Sequence, residues 1–118
     1  MTSFDNNLEH RAPHEREAAL MAALPRQVAH AQNKAPAFAH ILQGVDAASI
    51  NSRQAMAALP VTRKYELLAR QQAERATDVF GGFSAVRFGA AMPRVFASPG
   101  PIYEPEGRSA DYWRVARA

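Results

Sequence analysis

Apolar residues recur at helical spacing through the first two thirds of the chain. Met21, Leu24, Val28 and Ala31 fall at i, i+3, i+7 and i+10, which predicts a helix beginning near Pro13 or His14. Glu15 and Glu17 then stand in its first turn, where acids complement the positive end of the helix dipole. Pro25 removes one backbone hydrogen bond and disfavours helical geometry at Leu24. The stripe keeps its phase across Pro25, so one kinked helix or two short aligned helices are expected. Residues 1–13 show no apolar period and read as a flexible arm.

Pro36 suits the first turn of a second helix and Gly44 its exit, with Phe38, Ile41 and Leu42 on the buried face. Residues 46–49 form a connector. Ser52 is placed to cap a short helix that presents Met56 and Leu59 and stops at Pro60. Thr62 is the expected cap of the following helix, which should run to about Ala76. Val61, Tyr65 and Leu68 share one face there, and Arg63, Lys64, Arg70 and Arg75 stay in water.

At Thr77 the pattern changes. DVFGGFSAVRFG pairs glycines with spaced aromatics, which predicts irregular or short-strand chain. Residues 94–97 (RVFA) read as a short strand. SPGPIYEPEG holds three prolines and two glycines in ten residues and reads as a rigid loop. Ser109 suits the cap of a last helix with Tyr112, Val115 and Ala116 on one face. That helix has no stop signal before Ala118, so a truncated chain is expected. The fold class that follows is mainly α with a small β component. A helical subdomain spans residues 14–76, and residues 77–118 open a larger domain.

Composition narrows the chemistry. The apolar share is 47%, but much of it is alanine, which buries little area and predicts a thin core. With no cysteine, disulfides, thiolate-bound zinc and a cysteine nucleophile are excluded. The net charge of +3 is spread among interleaved acids, with no basic stripe of the kind that binds nucleic acid. No apolar run reaches membrane-spanning length, and the N-terminus is too polar for a secretory signal, so a cytoplasmic location is expected.

Few residues invite a site. His10 and His14 are four apart, a spacing that binds zinc on a helix, but no third ligand accompanies them and they read as solvated. His30 and His40 read as surface or core-edge residues. Ser98, followed by Pro99 and Gly100, does not sit in a G-x-S-x-G elbow, and no histidine stands near it. The aromatics of GGFSAVRFG are better explained by packing than by RNA binding, since Phe80 occupies the position where the RNA-binding pattern has a basic residue.

The run RVFASPGPIYEP, residues 94–105, resembles the R-[IV]-x-A-S-S-G-T-T-G-K-P motif of phenylacetate-CoA ligases. The order of segments before it is similar too. A helical stretch RQVAHAQNKAPAFAHIL is followed by LPVTRKYELL, which resembles the leucine-proline-x-threonine-lysine segment of that family. The resemblance covers roughly residues 15–118. It implies an N-terminal helical subdomain followed by the first strand and helix of an acyl-adenylating fold. It also implies a parent enzyme that activates a carboxylic acid with ATP and magnesium, then transfers the acyl group to coenzyme A. This chain alone would then be inactive, because the adenine- and acyl-binding core of the family lies beyond these segments.

Carried over position by position, Arg94, Ala97, Ser98, Gly100 and Pro105 match the motif. Arg94, Ser98, Gly100 and Tyr103 are the expected nucleotide-binding residues. Pro99 replaces a serine, Pro101 and Ile102 replace threonines, Tyr103 replaces a glycine, and Glu104 stands where the lysine belongs. Prolines donate no N–H to a phosphate. Glu104 turns attraction into repulsion of ~4 kcal/mol for charges ~4 Å apart at an effective dielectric of ~20. The competing expectation is a non-catalytic helical interaction module or an inactive relative of the ligases, with Phe96, Tyr103 and Trp113 as contact residues and a homodimer as one mode of association.

Overall fold

The computed structural model describes residue 8 and residues 10–110. The protein is mainly helical, with one small antiparallel sheet. The helices are α1 (Pro13–Lys34), α2 (Pro36–Ile41), α3 (Arg53–Ala57) and α4 (Lys64–Glu74). A 3-10 turn covers Ala47–Ser49, and strands β1 (Arg94–Ser98) and β2 (Ile102–Glu106) follow. The chain divides into two compact units. One comprises the chain up to Ala29 together with Asp46–Leu59. The other comprises His30–Val45 together with the chain from Pro60 onward.

α1 begins at Pro13, as its sequence predicts. The Ala12 N–H donates to the Glu15 carboxylate at 3.1 Å, so Glu15 caps the helix as well as complementing its dipole. The helix is continuous through Pro25. A single missing N–H costs one bond of the ladder, and the unbroken apolar phase on either side favours continuation.

In the first unit, Val28 and Ile50 are the buried apolar residues. Asp46 accepts the Ala48 N–H at 3.1 Å and closes the 3-10 turn. Ser52 Oγ accepts the Ala55 N–H at 3.1 Å and starts α3. Arg53 on α3 grips Glu17 on α1 through two nitrogens, one of them Nη2 at 2.7 Å from Oε2. That bond holds the Glu17 carboxyl below its ordinary range and raises the Arg53 guanidinium.

The core of the second unit is thin, as the alanine content predicts: Ala35, Ala37, Leu42, Phe80, Met92 and Ile102. The Gln32 amide donates to the Leu42 and Val45 carbonyls, 3.0 and 2.9 Å away, and fixes the turn after α2. Phe38 packs edge-on against Phe83, with ring centroids 5.4 Å apart.

Thr62 does not cap α4. The helix starts one residue later, with Arg63 as N-cap, because the Glu66 carboxylate reaches back to accept the Arg63 N–H at 2.9 Å. The stretch expected to be a loop after Ser98 contains a strand. Ile102 and Tyr103 have strong strand preference, and β2 pairs with β1 in the register Arg94↔Glu106 to Ser98↔Ile102. The loop shrinks to residues 99–101, with a cis bond between Gly100 and Pro101. The helix expected after Ser109, with Tyr112, Val115 and Ala116, lies outside the described residues, as does Trp113.

Candidate functional site

The hairpin of β1 and β2 carries all four residues that the sequence nominates. Its seat is built by DVFGGF, which leads away from α4. Asp78 accepts the N–H groups of Phe80 at 2.9 Å and Gly82 at 2.8 Å, winding the chain into a tight turn. Gly81 and Gly82 both have positive φ, +60° and +79°. A Cβ on Gly81 would lie 2.8 Å from the Gln71 backbone nitrogen, and one on Gly82 would lie 3.0 Å from that of Ala37. The glycine pair therefore lets this turn press against α4 on one side and the start of α2 on the other. The Ala37 N–H, an orphan donor in the first turn of α2, is satisfied by the Gly82 carbonyl at 2.9 Å.

Gln71, on the buried face of α4, is only 2% exposed. Its Oε1 accepts the Tyr103 N–H at 2.9 Å, and its Nε2 donates to the Tyr103 carbonyl at 3.0 Å. The same Nε2 lies 3.4 Å from the Phe80 carbonyl. The side-chain amide thus pairs with β2 as a neighbouring strand would. Both Tyr103 backbone groups face α4, so they point away from β1. Pro105, two residues on, also directs its backbone away from β1, and its missing N–H costs the ladder nothing.

The nominated residues do not converge. Ser98 and Gly100 lie at the turn and Tyr103 just beside it. Arg94 stands at the far end of β1, about 13 Å away at 3.3 Å per residue. Arg94 is tied to Glu106 across the ladder, with Nη2 2.9 Å from Oε1, and it lies 5.9 Å from the Phe96 ring centroid. Glu106 is among the few buried polar residues. The bond to Glu106 raises the Arg94 guanidinium pKa. Arg94 therefore braces the strand pair.

Tested as a cradle for ATP phosphates, the turn fits poorly. Pro99 and Pro101 bring no N–H, and the Tyr103 N–H is taken by Gln71. Ser98 Oγ points back to the Ile102 carbonyl at 3.4 Å. Glu104 is exposed on β2 and adds negative charge.

Elsewhere, Val61 and Tyr65 are 75% and 66% exposed, although their spacing places them on one face with Leu68. With Thr62, Arg63 and Lys64 they line an open surface cavity of about 620 Å³. His10, His14, His30 and His40 are exposed, and no cluster suited to a metal ion occurs among the described residues. Among the described residues no helix is long and apolar enough to cross a membrane.

Sequence reasoning missed Gln71 and Asp78, which organise the hairpin and its seat. Their signal is faint: one neutral amide among the polar residues of α4, and one acid two residues before an aromatic and a glycine pair. No family model, no curated protein and no solved structure matches this chain.

Proposed function

We propose that these residues form the N-terminal helical region and first hairpin of a phenylacetate-CoA ligase-like protein, in which the hairpin serves as scaffold and holds no nucleotide. The order of segments supports this reading: a helical stretch, then LPVTRKYELL, then RVFASPGP. The observation that carries it is the seating of the RVFASPGP hairpin on the helix grown from LPVTRKYELL, through both backbone groups of Tyr103 on Gln71. Gln71 follows LPVTRKYELL on the same helix and Tyr103 follows RVFASPGP on the same hairpin, so elements that carry the resemblance, far apart in sequence, meet in one structural unit. Activation of a carboxylic acid with ATP and magnesium, and acyl transfer to coenzyme A, then falls to residues other than these 118.

The assay is pyrophosphate release by the product of the intact reading frame, given ATP, magnesium, coenzyme A and a panel of aryl and alkyl carboxylic acids. Acid-dependent pyrophosphate is expected. Its absence with every acid overturns the ligase reading. A second reading, a non-catalytic interaction module, draws on the exposure of Val61, Tyr65, Phe88 and Phe96.

A further inference from the structure

We draw no further inference here: the strongest candidate, the open apolar groove at the start of α4 lined by Val61, Arg63, Lys64, Tyr65 and Leu68, carries nothing because nothing in the structure shows what covers it.

Discussion

Replacing Gln71 probes the hairpin's attachment directly. Gln71→Met keeps the length and approximate volume of the side chain and removes its amide. The two bonds to Tyr103, 2.9 and 3.0 Å long, are lost along with the longer contact to Phe80. A hydrogen bond contributes ~1 kcal/mol net, and a donor or acceptor left without a partner costs ~1–3 kcal/mol. Tyr103 is half-buried, so water compensates part of the penalty. The expected loss is ~2–4 kcal/mol, a large share of the ~5–15 kcal/mol that holds an ordinary domain folded. At roughly 4 °C per kcal/mol for a chain of this size, Tm should fall by about 8–16 °C. Gln71→Ala should fall further, because it adds a cavity. Urea denaturation gives the free energy, and native-state hydrogen exchange shows where it is lost. Protection of the Tyr103 amide should drop before that of α1. A Gln71→Met protein within ~0.5 kcal/mol of the parent, with Tyr103 still protected, would refute the claim that this amide seats the hairpin.

Gly81→Ala should destabilise by ~2–4 kcal/mol, combining the left-handed backbone penalty with the clash against α4, as read by thermal melting. Gly82→Ala should behave similarly, but through the start of α2. Ser52→Ala should cost ~1 kcal/mol, the usual value of an N-cap, and urea midpoints check it. The Glu17–Arg53 pair predicts a pH effect of definite sign. The folded-state pKa of Glu17 lies below its unfolded value, so its stabilisation is full above the ordinary carboxylate pKa and disappears as pH falls through the lowered one. In Arg53→Gln the Glu17 carboxyl should titrate at higher pH by side-chain NMR, and the acid limb of the stability curve should flatten.

The helices were legible because their signals are local. Pro13, Pro36, Ser52 and Gly44 mark starts and an exit through backbone geometry that one or two residues determine. Thr62 misled by one position because a more favourable partner, Glu66, stood three residues past Arg63. Val61, Tyr65 and Leu68 line one surface, but periodicity does not reveal whether anything covers it. β2 was hidden by composition. Pro105 and the prolines of the turn argue for a loop, and only the pairing register shows that Pro105 sits where no donor is needed. The residues that the resemblance nominates share one hairpin but do not form a constellation. Arg94 lies a full strand away from Ser98 and Gly100 and is bound to Glu106, twelve residues on. Gln71 reaches Tyr103 across 32 residues, and no local pattern encodes that meeting.

Titrating the chain with magnesium-ATP, while following the backbone amides of Ser98, Gly100 and Tyr103, is the most direct test of the scaffold reading of the hairpin. The account predicts no saturable shift at these positions up to several millimolar nucleotide. Saturable shifts centred on Ser98 and Gly100 would contradict it, and would mean that the turn closes around phosphate despite its two prolines and the nearby Glu104.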